Sequence, residues 1–456
     1  MLLIGKNNMA NVKKIYSCTN CGAQYPKWSG RCLECGSWGT LEEELKDFKS
    51  SKEDEQKLVA PADLISLKDV QNKKINRYLT GVSEFDRVLG GGLVPGSLIL
   101  LSGEPGIGKS TLAAQIANSS SCEEVIYVSG EESAVQVKGR FERLKLNLEK
   151  FKFISETNVE KIIAATLKNK APLIVVDSIQ TVYSSLTPAE AGSVSQIRSA
   201  TVKFLELAKE NDISVILIGH ITKDGQVAGP KSLEHIVDTV LYLEAEANNG
   251  FCFLRSTKNR FGSVNELGVL EMRADGFKEI KSPGSIFVET PIEDIPGSVI
   301  TCVIEGTRPF LADIQALVSK TVFGYPQRKA SGFDLNRLAV LSAVISKRTK
   351  INLSSQDIIL NIAGGLKISD PSLDLAVCAA IISSHYNINW SRDCVVLGEL
   401  GLGGELRPVS KIELRLKEAE RLGFKQAIIP MSEKVGKTKL KLTRIKNLQE
   451  LVDLVK

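Results

Sequence analysis

From Ser97 onward the chain alternates short, unbroken apolar runs with longer stretches of helical periodicity. SLILLSG (97–103), EVIYVSG (124–130), FKFIS (151–155), LIVVDS (173–178) and ISVILIGH (213–220) are too short for helices and rich in β-branched residues. Between them, VEKIIAATLKNK and SQIRSATVKFLELAKEN repeat apolar positions every three or four residues, as one face of an α-helix does. Apolar strands alternating with amphipathic helices predict a parallel sheet covered on both faces. TVLYLEAE, CFLRSTKNR and VLEMRADGFKEI then follow with no helical stretch between them, which predicts an antiparallel extension at the sheet's end.

Two further regions break this rhythm. Before it, EEELKDFKSSKEDEQK mixes charges of both signs with almost no apolar content and reads as a tether. After it, the strand GSVITCVIEG precedes two helical patterns, DLNRLAVLSAVISKR and SLDLAVCAAIISSHY. Glycine-rich LGELGLGGELRPV then leads into the helix KIELRLKEAERLG, a mixed order typical of a separate α+β domain. The expected boundaries are a four-Cys module at 16–40, a linker at 41–75, a P-loop domain at 76–282 and an α+β domain at 291–456.

The chain has 456 residues, more than one compact core usually holds, with 43% hydrophobic and 24% charged residues. A net charge of +5 permits an anionic partner without demanding one. No run of about 18 apolar residues appears, so no membrane span is expected, and the location expected is cytoplasmic. Four of the nine cysteines fall within residues 18 to 35. Cys18/Cys21 and Cys32/Cys35 form two CxxC pairs, each followed by Gly, which suits tetrahedral zinc in a closed structural site. A redox motif needs only one such pair.

SGEPGIGKST carries the sharpest chemistry. Gly103 to Ser110 fits G-x-x-x-x-G-K-[ST] between a strand and a helix, the arrangement that cradles a nucleotide's phosphates. Gly103, Glu104, Pro105, Gly106, Ile107 and Gly108 form the loop, and Lys109 would reach the β and γ oxygens of ATP. Ser110 would ligate Mg²⁺, with Thr111 following in the helix. Asp177 ends a strand where a carboxylate can hold the magnesium through water. The next residue is Ser178, not an acid, so a water-activating base must come from elsewhere. Glu131 is favoured over Glu132, both lying after the strand EVIYVSG; the alternative for either is a helix N-terminal charge. His220 ends VILIGH at the same sheet edge and can report the state of the γ-phosphate to the loop after it. That loop holds Lys223 and Lys231, as a DNA contact or as a solvated loop.

The four-Cys module, GEPGIGKST, VVDSIQT, IGHITKDG, GPKSLEHIVD and KNRFG together resemble the bacterial RadA (Sms) family, from about Tyr16 to the C-terminus. The resemblance implies a RecA-like ATPase core forming ring-shaped hexamers on single-stranded and branched DNA. It further implies DNA-dependent ATPase and helicase activity that drives branch migration in recombination and repair, with a RecA-type recombinase as partner. In oligomeric RecA-like motors a neighbouring subunit supplies the cations that complete the site. Lys258 and Arg260 of KNRFG are expected to do so here; the alternative is contact with DNA phosphates.

The third region resembles the proteolytic domain of Lon proteases (a ribosomal protein S5 domain 2-like fold). Ser372 stands in the place of the catalytic serine, while the alignment puts Glu413 where the partner lysine belongs. A glutamate cannot replace the amine, so peptidase activity is not expected. From Arg308 to Lys350 eight Lys/Arg stand against Asp313 and Asp334, a net +6. This surplus makes Arg337, Lys347 and Arg348 DNA-contact candidates, with a merely solvated face as the competing reading. Besides an ATP-driven DNA motor, the classes to be separated are an ATP-dependent peptidase and an ATP-gated scaffold.

Overall fold

The computed structural model describes residues 12–20, 23–32, 36–47, 76–220, 233–245, 250–280, 294–322, 324–364 and 368–455, with residues 66, 68, 284 and 288 in isolation. Two compact units result. One takes Met1–Gly81, Gly91–Leu241 and Lys258–Phe261; the other takes Val82–Gly90, which holds a short helix α1 (Ser83–Leu89), with Tyr242–Thr257 and Gly262–Lys456.

In the first unit, β1 (Val12–Cys18) pairs antiparallel with β2 (Gln24–Tyr25) and β3 (Leu41–Asp47). Residues 41–47 were expected in the tether and are instead the third strand of the N-terminal sheet. All seven pair with β1 through backbone groups that ladder whatever the side chain, and Leu41 turns into the buried centre beside Cys18 and Cys32. The rest of the expected tether lies largely outside the described residues.

The unit's larger part is a parallel sheet in the order β4 (Leu98–Gly103), β8 (Ser214–Ile218), β7 (Leu173–Asp177), β5 (Val125–Ser129), β6 (Phe151–Ile154). All but the edge strand β6 are buried along their whole length. Helices α2 (Lys109–Ser119), α3 (Ala134–Arg143), α4 (Val159–Asn169) and α5 (Val194–Asn211) make the crossovers. The carboxyl ends of β4, β5, β7 and β8 therefore share one edge, where ligands bind in open α/β sheets.

The expected antiparallel strands fall largely, not wholly, in the second unit. β9 (Thr239–Ala245) leads to β10 (Phe251–Asn259), β10 pairs with β11 (Leu267–Arg273), and β11 with β12 (Gly276–Glu279). Its main sheet is mixed and includes β13 (Ser298–Glu305), β14 (Arg308–Lys320), β15 (Arg328–Ser331), β16 (Gln356–Ile362) and β17 (Cys394–Val396). Alternate residues of β13 feed two cores. Val299 and Val303 join the cluster containing α6 (Leu335–Arg348) and α7 (Asp374–Tyr386), while Ile300 and Cys302 join the one under α8 (Ile412–Arg421). Ten of α7's thirteen residues are buried, so this helix fills the domain's centre. Among the described residues no helix is long and apolar enough to cross a membrane.

Candidate nucleotide site

The loop between β4 and α2 curls because Gly106 (φ 79°) and Gly108 (φ 98°) take left-handed backbone that other residues resist. Gly108 caps α2, whose first-turn amides lack helical partners and point out of the N-terminus. Lys109 is buried, and its Nζ donates to the carbonyls of Gly103 (3.0 Å) and Glu104 (2.8 Å). Burial pulls its pKa below the ordinary lysine value, and the charges of Asp177 and Glu131 oppose that shift. Glu104, Pro105 and Gly106 are exposed, Ile107 is buried, and Ser110 and Thr111 are half-buried in the helix's first turn. A loop of turned amides with an amine and a hydroxyl at its end fits a nucleotide's phosphates and their divalent cation.

Two acidic groups reach this edge by different routes. Asp177, buried at the end of β7, accepts from the Tyr127 hydroxyl (2.6 Å). Arg140 of α3 donates to that hydroxyl (2.9 Å) and stands 3.5 Å from the Asp177 carboxylate. Arg140 also binds Glu132 at 2.8 Å. Glu131 turns the other way: its carboxylate accepts from Ser178 Oγ at 2.5 Å and lies 4.0 Å from His220 Nε2. Helix α3 begins only after Ser133, which forms a capping box with Gln136, so neither glutamate lies in the first helical turn. Glu132 is thus committed to Arg140, and Glu131 faces the site.

Burial pulls His220 below its ordinary pKa, Lys109's charge lowers it further, and Glu131 and Asp177 oppose both. Its Nδ1 is buried with no hydrogen-bond partner among the described residues. Lys109, Glu131, Asp177 and His220 therefore share one electrostatic neighbourhood.

Lys258 and Arg260 lie elsewhere. Lys258 Nζ donates to the Glu234 carbonyl at 2.6 Å, while burial and then Arg260's charge pull its pKa down. Arg260 pairs with the buried Asp238 (3.3 Å), whose carboxylate also accepts from Lys209 (2.6 Å) and from the Leu98 amide (3.0 Å). Leu98 begins β4 and Gly103 ends it, so the Asp238 carboxylate that holds Arg260 is fastened at the opposite end of this strand from the P-loop, about 17 Å of strand away.

In the N-terminal module Cys18 and Cys32 are both buried in one cluster. A hydroxyl lies near each sulfur: Thr40 at 3.2 Å from Cys18 Sγ, Tyr25 at 3.3 Å from Cys32 Sγ. The Gly36 amide turns back onto the Cys32 carbonyl (2.9 Å), as a metal knuckle does. Cys21 and Cys35 lie outside the described residues, as do Lys223 and Lys231 of the loop after His220.

Known proteins resemble separate stretches of the chain. A family model described as rubredoxin metal binding domain matches residues 16–43, one described as the KaiC ATPase matches 78–160, and one described as subunit ChlI of Mg-chelatase matches 326–433. DNA repair protein RadA of Bacillus subtilis (strain 168) is 45% identical over 444 residues, 95% of this chain and 96% of its own. The chain belongs to the RadA family. DNA repair protein RadA of Pseudomonas aeruginosa is 42% identical over 449 residues, covering 98% and 99%. Among solved structures, a KaiC-like protein of Pyrococcus horikoshii is 22% identical, covering 45% of this chain and 100% of its own at a TM-score of 0.38.

In this RadA-family chain the Lon-like unit holds Ser372 through a residue other than Glu413, which stands in the partner lysine's place in the alignment. The residue that meets Ser372 is Arg415, whose Nη1 donates to Ser372 Oγ (2.8 Å) and to the Cys302 carbonyl (2.6 Å) and pairs with Asp370 (2.8 Å). Two residues along a helix change the face by about 200°, so the alignment at Glu413 misses the contact. A guanidinium stays protonated and cannot act as a base, and Ser372 is buried beneath it. Arg337 is likewise engaged, held by the buried Asp374 and donating to the Leu400 carbonyl (3.0 Å), which neutralises its charge. Lys347 and Arg348 are exposed in the last turn of α6, with Arg348 Nε donating to the Leu402 carbonyl (3.3 Å). Tyr127, Arg140 and Arg415 were missed. Tyr127 alone gave a signal, since a tyrosine in a fully buried strand needs a partner for its hydroxyl.

Proposed function

We propose that this RadA-family ATPase is a DNA-dependent motor that drives branch migration of recombination intermediates. Glu131 carries the reading: it is held by Ser178 and faces the neighbourhood of Lys109 and Asp177, where a general base for water attack on ATP belongs. Lys109 and the loop from Gly103 to Thr111 would hold the phosphates, and Ser110 with Asp177 the Mg²⁺, which supplies charge neutralisation at the leaving oxygens. Cys18, Cys21, Cys32 and Cys35 would hold zinc as a structural site. His220 passes the state of the γ-phosphate to the loop bearing Lys223 and Lys231, one of the DNA contacts, with Lys347 and Arg348 as another. Arg337, its charge already paired, is a weaker member of that set.

Lys258 and Arg260 act on the neighbouring subunit's nucleotide in a hexameric ring; the fastening of Arg260 to Asp238 at the start of β4, away from the P-loop end, supports this. A RecA-type recombinase is the expected partner, and the cytoplasm the expected location. The domain limits that go with this reading are 16–40, 76–282 and 291–456, with the strand at 41–47 assigned to the first.

ATP hydrolysis measured with and without single-stranded DNA, together with strand displacement on a three-stranded substrate, tests the reading. Stimulation by DNA and ATP-dependent displacement are expected. An ATPase indifferent to DNA refutes the motor in favour of a scaffold, and casein degradation would revive the peptidase.

A further inference from the structure

Tryptophan is scarce in this chain, three residues in 456. Trp390 is buried, while Trp28 and Trp38 lie on the N-terminal module, 61% and 75% exposed. Packing alone would put them inside. Among the described residues the module's buried centre holds Cys18, Cys32 and Leu41, and each indole offers about 150–250 Å² of mostly apolar surface that so small a core cannot cover.

Instead the two rings flank Gly30. A Cβ at that position would stand 3.7 Å from Trp38 and 4.0 Å from Trp28, so both exposed rings border this one glycine. An antiparallel bridge between Arg31 and Trp38 fixes the backbone beneath them. Arg31 lies over the Trp38 ring, 5.9 Å from its centroid, and its Nε donates to the Gly36 carbonyl at 3.0 Å. Lys27 is exposed beside Trp28 in the sequence. Exposed, positioned rings with cations alongside match single-stranded nucleic acid, whose bases stack on aromatic faces while its phosphates meet positive charge.

We propose that Trp28, Gly30, Arg31 and Trp38, with Lys27, form a stacking platform for single-stranded DNA on the metal-binding module. This adds a third DNA contact and rests on the reading that DNA is the partner.

The test uses the full-length, zinc-loaded protein and oligo(dT). The P-loop domain contains no tryptophan, so emission comes from Trp28, Trp38 and the buried Trp390 alone. Oligo(dT) is expected to quench the exposed indoles, leaving the Trp390 emission. Trp28→Ala and Trp38→Ala should each weaken binding about 5- to 150-fold, and Trp28→Phe, which keeps a ring, should recover part of the loss. Zinc content equal to wild type certifies the fold of each variant. Absence of quenching, or zinc-replete variants that bind oligo(dT) like wild type, overturns the proposal. Quenching by a partner protein but not by oligo(dT) overturns it in favour of a protein interface. DNA stimulation of the ATPase, read on the same samples, separates the two failures: stimulation without quenching sinks the platform alone, and quenching without stimulation sinks the motor alone.

Discussion

Replacing Ser178 by Ala removes one hydroxyl and asks what holds Glu131 in place. Ser178 is fully buried, and its Oγ donates to Glu131 Oε1 at 2.5 Å. The other groups near that carboxylate give less: His220 stands 4.0 Å away, and Ser129 Oγ accepts from the Glu131 backbone rather than from its side chain. A hydrogen bond to a charged group contributes about 1.5–3 kcal/mol. Expressed wholly in the transition state, that is roughly a 10- to 150-fold loss of kcat. The Glu131 side chain is 44% exposed, and water competing for it pulls the expectation toward the lower end.

Turnover is measured under saturating ATP, and nucleotide affinity with a fluorescent analogue. Affinity should stay within about twofold, because the contacts of Lys109 with Gly103 and Glu104 do not involve Ser178. Ser178→Cys, nearly isosteric but a weak donor, should fall between Ala and wild type. Adding Ser178→Ala to Glu131→Gln should cost nothing further if Ser178 acts only through Glu131. Turnover within twofold of wild type, or an affinity loss matching the rate loss, would refute the argument.

Mixed rings of Lys258→Ala and Lys109→Ala subunits should show ATPase activity above either parent, since each supplies what the other lacks; no recovery counts against action between subunits. Arg415→Ala leaves Asp370 without its cation and should cost about 3–5 kcal/mol, lowering the C-terminal unit's unfolding midpoint by roughly 10 °C. A calorimetric shift under 2 °C would contradict this. Glu160 is held at about 2, below the usual 4.5: burial raises it, but hydrogen bonds from Ser184 and Ser185 and the nearby Lys203 outweigh that. Its contribution to stability is full above about 4.5 and lost as pH falls from there toward 2. Glu160→Gln should therefore lower the urea midpoint at pH 7 and converge on wild type only near pH 2. A gap of equal size at both pH values would disprove the linkage.

Legibility in the sequence followed the range of the interaction. The P-loop was readable because its glycines, lysine and serine act within eight consecutive residues. The parallel strands were readable because burial on both faces forces unbroken apolar runs. The choice between Glu131 and Glu132 was not settled by the string itself. It depends on Arg140, which reaches back from α3 to hold Glu132, and on Ser178, 47 residues beyond Glu131. Arg415 escaped for a related reason, since only the packing of α8 against β13 decides which helical face meets Ser372. Strand β3 escaped because its ladder bonds are backbone bonds, which its charged side chains do not advertise.

The KNRFG string gained the most from three dimensions. Arg260, Lys209 and the Leu98 amide converge on the Asp238 carboxylate, and Lys209 also lies over the Phe261 ring, 5.6 Å from its centroid. Arg77 donates to the Phe261 carbonyl at 2.8 Å, closing the turn from the other side. The basic turn is thereby fastened to the start of the strand that ends in the P-loop. β4 then has a nucleotide loop at one end and fixed cations at the other. Cations at the start of β4 can reach a neighbour's P-loop where head-to-tail contacts bring the start of one β4 toward the end of the next. In the proposed motor such head-to-tail contacts, repeated until they close, would give each subunit's nucleotide loop the cations of its neighbour.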